Sequence, residues 1–181
     1  MRSDPSRNNK NFMIFIGFDN GVTSNGIGAI SSSGVAKLYT LPVKKELSYT
    51  KEAKHISRID YSGLLAVARQ VTLDFGTDFV KVGLERPMVN STRFNASLSA
   101  IRALEATLIF LEEVEWPYEY IDSKEWQKML LPSGLKGSDV LKQASLDVGK
   151  RMFPQLKIKK DADGLLIAEY MRRRENTYEQ R

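Results

Sequence analysis

The chain has 181 residues, 42% of them hydrophobic and 27% charged, which is long enough for one domain with a real core and unlike a disordered or fibrous sequence. Its 27 Lys and Arg against 22 Asp and Glu leave a net charge of +5 and a pI near 9.3, a moderate excess that suits a polyanionic partner without requiring one. The lack of cysteine excludes a disulfide framework and a thiolate metal site and fits a reducing cytoplasm, and no apolar run reaches the ~18–20 residues of a membrane span.

Residues 1–10 read as a polar, flexible arm: Arg2, Arg7 and Lys10 are present, but not the apolar stretch and cleavage site of a signal peptide. Residues 11–181 read as a single domain. Phe12 to Phe18 is an apolar run of strand length, closed by the turn signal Asp19-Asn20-Gly21. Gly26 to Ser31 and Val35 to Val43 follow as two further strands around Ser32-Ser33-Gly34, so the first three strands should form an antiparallel meander. From Glu52 to Phe75 the recurrence of Ile56, Ile59, Leu64, Val67, Ala68 and Val71 predicts a helix, with His55 inside it as a structural residue.

Phe79 to Leu84 reads as a buried strand ending at Glu85. Ser91 or Thr92 then caps a long helix with the apolar stripe Leu98, Ile101, Leu104, Leu108 and Leu111. Pro117 to Ile121 is a fifth strand. Asp122 or Ser123 caps a brief helix through Trp126, Ser138 opens another that ends by Pro154, and a last helix starts near Lys160 and turns Leu165, Leu166, Ala168 and Met171 inward. Strands four and five are separated by a helix, which favours parallel pairing through a right-handed crossover. The expectation is one α/β domain: a five-stranded mixed sheet, an antiparallel meander extended by parallel strands, with helices on both faces.

Four acidic residues fall where a core would not place them. Asp19 and Glu85 end strands one and four, and Asp161 and Asp163 stand at the start of the last helix. Clustered carboxylates repel each other unless a cation neutralises them, and hard oxygen ligands without His or Cys select Mg²⁺ or Mn²⁺. Two such ions about 3.5–4 Å apart can clamp the attacking and leaving oxygens of a phosphodiester displacement. Each acid also has a plainer use: Asp19 as a turn former, Glu85 as an ion-pair partner of Arg86, Asp161 as a helix cap, and Asp163 as a first-turn acid. Their common position at one edge of the sheet favours the shared site.

Ile14-Phe15-Ile16-Gly17-Phe18-Asp19-Asn20-Gly21, followed by Asn25-Gly26-Ile27-Gly28, resembles the first strand and turn of the RuvC Holliday-junction resolvases of the RNase H-like superfamily. Val82-Gly83-Leu84-Glu85 is similar to the strand carrying that family's catalytic glutamate, Ser97 to Ala106 to its next helix, and Asp163-Gly164-Leu165-Leu166-Ile167-Ala168 to its terminal segment. The likeness runs from Ile14 to Met171. Around Trp126, Leu130-Leu131-Pro132 and Lys136 it is closer to phage-encoded members, which would work in a host bacterial cytoplasm.

The resemblance implies an RNase H-like fold and a magnesium- or manganese-dependent endonuclease that resolves four-way junctions and related branched DNA in recombination and repair. It implies a homodimer with one site per subunit, two ions per site, and Asp19, Glu85 and Asp163 as ligands. The family's further aspartate stands three residues before the last, where this chain has Lys160; Asp161 can serve instead only if the helix begins between Asp161 and Asp163. Asn20 replaces the family's proline. The Leu98–Leu111 stripe is open to two uses, dimer surface or ordinary core.

A binder of branched DNA needs cations beside its acids, because phosphates supply most of the affinity. Arg86, Arg93, Lys128, Lys136 and Lys160 are the candidates, with Lys44, Lys45, Lys51, Lys54, Arg58, Lys124 and Lys159 as further cations of the same surface. Phe94 either stacks on an unpaired base or opens the core face of its helix. Three other functions compete. A phosphate-binding ATPase with the same turn needs two such domains, more than 181 residues hold. A related nuclease cutting flaps, forks or RNA–DNA hybrids differs only in loops, and a non-catalytic junction-binding protein would not need all the acids.

Overall fold

The computed structural model describes residues 12–22, 26–49, 51, 54–76 and 79–179; the amino-terminal arm lies outside them. Its elements are β1 (Met13–Phe18), β2 (Ile27–Ser31), β3 (Ala36–Tyr39), β4 (Val43–Leu47), β5 (His55–Ile59), α1 (Tyr61–Phe75), β6 (Phe79–Glu85), α2 (Phe94–Glu113), β7 (Tyr118–Ile121), α3 (Ser123–Leu130), α4 (Ser138–Met152) and α5 (Asp163–Glu179). The main sheet has the order β3-β2-β1-β6-β7. β1 pairs antiparallel with β2 and β2 with β3, whereas β6 runs parallel to both β1 and β7, as the element order predicts.

β1 is apolar throughout because helices cover both faces of the sheet. Ile14, Ile16 and Phe18 point to one side, where they pack with Leu64 and Val71 of α1 and Phe110 and Leu111 of α2. Phe15 points to the other, into a core with Trp126 of α3, Val148 of α4 and Leu165 of α5. This is the two-residue period of a strand between two layers, and each fully buried side chain of this kind stabilises by about 1.5–3 kcal/mol.

Three boundaries differ from the sequence expectation. The helix expected over Glu52–Phe75 begins only at Tyr61. The chain before it turns back as a two-stranded hairpin, β4 against β5, in register from Val43↔Ile59 to Leu47↔His55. Ile56 and Ile59 imitate a helical step of three, but Ile59 is buried as a strand residue and Asp60 is extended (φ −87°, ψ 102°), so the helix can start only after it. His55 is therefore an exposed strand residue. The third strand stops at Tyr39, and Val43 belongs to the hairpin.

The cap of the long-helix region is Asn90, whose side chain accepts the Thr92 N–H at 2.9 Å and opens a 3-10 turn over Ser91–Arg93; neither Ser91 nor Thr92 caps α2. By length, 23 residues, and composition Ser91–Glu113 could cross a membrane, although its apolar residues are interrupted by polar ones. In this fold Ala103, Thr107, Phe110 and Leu111 on one side are buried and the helix packs against α1 and β5.

Candidate active site

Phe18 of β1 pairs with Leu84 of β6 in a parallel register, so the next residues, Asp19 and Glu85, leave neighbouring strands at the same end of the sheet. The two carboxyls are in hydrogen-bond contact. Two carboxylates hold such a contact only when a proton or a cation stands between them.

The third and fourth acids arrive at the start of α5, Asp161 just before it and Asp163 as its first residue. That start lies three residues beyond the one expected at Lys160. The delay has a local cause: the Asp161 side chain accepts the Asp163 N–H at 2.8 Å, and the first helical bond runs from the Leu166 N–H to the Ala162 carbonyl at 2.9 Å. Asp161 thus lies before the helix and Asp163 inside it. This is the one arrangement in which a two-residue spacing turns both carboxylates to one place. One carboxylate oxygen from each of Asp19, Asp161 and Asp163 falls within 4.8 Å of the others.

Close backbone contact holds α5 there. A Cβ on Gly17 of β1 would overlap the Gly164 carbonyl, and one on Gly28 of β2 would overlap the Leu165 backbone. Only hydrogen at these two positions lets the helix start sit directly on the strands, and no other helix makes as much contact with the sheet.

The site is electrostatically strained. Burial pushes Asp163 up to about 7, reinforced by the Asp161 and Asp19 charges and opposed by the Ser145 hydrogen bond and by Lys142. Burial also raises Glu85, with Asp163 and Asp161 adding to it and the bonds from Trp126 and Asp19 opposing it. Trp126 donates its indole Nε1–H to Glu85 Oε1 at 3.0 Å, and Ser145 Oγ bonds Asp163 Oδ1. Beside Asp19, both amide atoms of Asn20 are buried without a hydrogen-bond partner among the described residues. The donor set is all hard oxygen, close-set, partly buried and short of positive charge, and so fits a divalent cation such as Mg²⁺ or Mn²⁺.

Trp126, Ser145, Lys142 and the orphaned Asn20 amide were not read as site residues in the sequence. Trp126 is fully buried in a helix that otherwise exposes charge, and Ser145 is a buried hydroxyl on α4; both are signals visible only once burial is known.

The expected DNA-contact residues are spread more widely. Arg86 follows Glu85 directly and lies with its guanidinium carbon 5.0 Å from the centre of the Tyr120 ring. Lys160 is exposed beside Asp161. Arg93 ends the 3-10 turn, Lys128 lies on α3 and Lys136 in the loop before α4, all three exposed. Phe94 is 69% exposed, so it is not a core residue. The cation that acts on Asp163 is Lys142, outside this set.

No protein-family model matches the chain, and no curated protein does. Among solved structures, the chain is similar to Thermus thermophilus RuvC, with a TM-score of 0.55 and 16% identity over 90% of this chain and 97% of that one. It is similar also to T. thermophilus RuvC in complex with a Holliday junction substrate, with a TM-score of 0.54 and 15% identity over 87% and 91%. At this identity the likeness shows the fold: the mixed five-stranded sheet and its flanking helices are those of RuvC.

Proposed function

We propose that this chain is a metal-dependent, structure-specific endodeoxyribonuclease that resolves four-way junctions and related branched DNA. One observation carries the proposal: on a RuvC fold, the strand ends and the helix start bring Asp19, Asp161 and Asp163 within 4.8 Å, with Glu85 bonded to Asp19. A RuvC structure of the same fold is in complex with a Holliday junction substrate, which supports the choice of DNA.

In this reading Asp19, Glu85, Asp161 and Asp163 hold Mg²⁺ or Mn²⁺, two ions per site. Bound cations supply Lewis-acid stabilisation of the attacking and leaving oxygens in a phosphodiester displacement. The protein's own part is to fix the ligands. Trp126 clamps one oxygen of Glu85 and Ser145 one oxygen of Asp163, so each carboxylate keeps its other oxygen for a cation. Asn20 leaves a buried donor and acceptor beside Asp19 for a bound group. Arg86 and Lys160, flanking Glu85 and Asp161, reach phosphates next to the one cut, and Arg93, Phe94, Lys128 and Lys136 engage the arms of the substrate.

The symmetry of a junction asks for two equivalent nicks, hence a homodimer, and the exposed side of α2 with Ile101 and Ile109 supplies its surface. The phage-type likeness and a cytoplasmic workplace belong to the same proposal.

The test is a substrate panel. Labelled four-way junction, fork, flap, RNA–DNA hybrid and linear duplex are bound in Ca²⁺ and then cut in Mg²⁺. The proposal expects tight binding and paired nicks on branched DNA. Cleavage confined to hybrids contradicts it, and so does binding without any cleavage in Mg²⁺ or Mn²⁺.

A further inference from the structure

Behind the carboxylates, α4 and α5 are joined by residues 153–162, and this connection has a built shape. Ile158 is buried in the core and its N–H donates to the Leu156 carbonyl at 3.1 Å, which pins the middle of the segment. The residues on either side of that anchor, Lys157, Lys159 and Lys160, are exposed. They line an open-sided cleft of about 470 Å³ together with Leu156, Leu38 of the edge strand β3 and Thr40 just after it. Asp161, a member of the carboxylate cluster, lines the same cleft.

Three cations beside one groove repel each other, and a protein normally places carboxylates between them. Among the described residues none of these three lysines has an ion-pair partner, whereas Lys37, Lys44, Arg58, Lys81, Arg172, Arg173 and Arg174 all have one. Among the same residues Arg69 and Lys150 are unpaired as well, but only these three cations are gathered in one groove with a site carboxylate, where an anionic ligand can meet all of them. The groove offers three ammonium groups, apolar surface from Leu38 and Leu156 and a hydroxyl from Thr40. A sugar–phosphate backbone has the matching character, with anionic oxygens on one side and an apolar sugar face on the other. Asp161 belongs to both the cleft and the carboxylate cluster, so a chain seated in the cleft lies against the carboxylates.

We infer that this cleft is the track for the strand being cut: Lys157, Lys159 and Lys160 hold the phosphates that flank the scissile one, and the β3 edge supports their sugars. The inference rests on the proposed nuclease function and adds the path of the substrate strand. It makes Lys157 and Lys159, four and two residues before Asp161, binding residues for DNA.

The experiment compares the parent chain with the double variant Lys157→Gln/Lys159→Gln, which leaves Lys160 and all four acids in place. A charge-matched control, Arg69→Gln/Lys150→Gln, removes two exposed cations outside the cleft. Binding of a labelled four-way junction in Ca²⁺ is measured across salt concentrations. Each lost phosphate contact lowers the slope of log K against log salt by about 0.7–0.9. The inference expects a slope lower by about 1.4–1.8 for each protomer engaged in the cleft variant and unchanged in the control, with the parent's thermal stability and Mn²⁺ affinity retained in both. An unchanged slope in the cleft variant, or an equal fall in the control, overturns it. If the parent chain itself neither binds nor cuts any branched DNA, the proposed function falls and takes this inference with it. An unchanged slope in a parent that binds and cuts sinks the strand path alone.

Discussion

Trp126 shows how much of the site depends on one contact. Its indole is fully buried under the sheet and its N–H ends on Glu85, a charge-assisted bond that favours the ionised carboxylate. Trp126→Phe keeps most of the packing and removes that donor, so Glu85 should hold its proton to higher pH and bind cations less well. Outer partners of metal ligands are typically worth about 10–100-fold in affinity or activity. The Mg²⁺ concentration for half-maximal cleavage should rise by about that factor, and the deficit should shrink as the pH is raised. A metal titration at two pH values checks both, and a variant with the parent's metal dependence contradicts the role.

Asp163 makes a second prediction at this scale. Its ordinary value is 3.8 and burial raises it to about 7, so the metal-free folded chain keeps a proton that the unfolded chain releases. A raised carboxyl contributes stability below its unfolded value, and that contribution is lost as pH rises through about 7. Without metal, this group should lower Tm between about pH 4 and pH 7; Mg²⁺, which binds the ionised form, should raise Tm more at pH 8 than at pH 5. Thermal melts across pH with Mg²⁺ and with EDTA measure the difference. A Mg²⁺ effect that is absent or independent of pH contradicts the account.

At the scale of elements, the α5 start decides whether the fourth acid can serve. The sequence showed Asp161 and Asp163 as a misfit to a helix beginning at Lys160; the fold resolves it by starting the helix at Asp163 and using Asp161 to receive its N–H. The strands and the two strand-end acids were legible because β1 is a continuous apolar run followed directly by Asp19, and β6, apolar but for Lys81, ends on Glu85. The hairpin was not, since Ile56 and Ile59 satisfy either period and the pairing that decides between them, β5 to β4, is non-local. Trp126, Ser145 and Lys142 stayed invisible for the same reason: their partners lie 18 to 41 residues away or on another element.

Gly28 tests the contact that seats α5. Gly28→Ala forces a methyl group into the Leu165 backbone, where nothing flexible can yield. Overpacking of this kind costs about 1–3 kcal/mol, and here it also moves the helix start that carries Asp163 and bonds Asp161. Unfolding should shift by that amount and cleavage should fall further than stability alone explains. Parent-like cleavage in the folded variant would show that the acids tolerate a displaced α5.

At the scale of the whole molecule, one face of the sheet carries the carboxylates and α5, and the other carries α1 and α2. Ile101 and Ile109 of α2 are 45% and 51% exposed, an apolar surface that a monomer would leave in water. Ile101→Asp/Ile109→Asp should give a folded monomer by sedimentation, able to nick a junction once but not to make the paired cuts. A dimer that persists in this variant places the interface elsewhere.

The nuclease account turns on Glu85, the residue bonded to both Trp126 and Asp19 at the edge of the cluster. Glu85→Gln keeps the shape and removes the charge, so it should bind a four-way junction in Ca²⁺ as the parent does and cut it in Mg²⁺ at least about a thousandfold more slowly, a loss of about 4 kcal/mol in transition-state stabilisation. Cleavage by this variant at the parent rate would contradict the account.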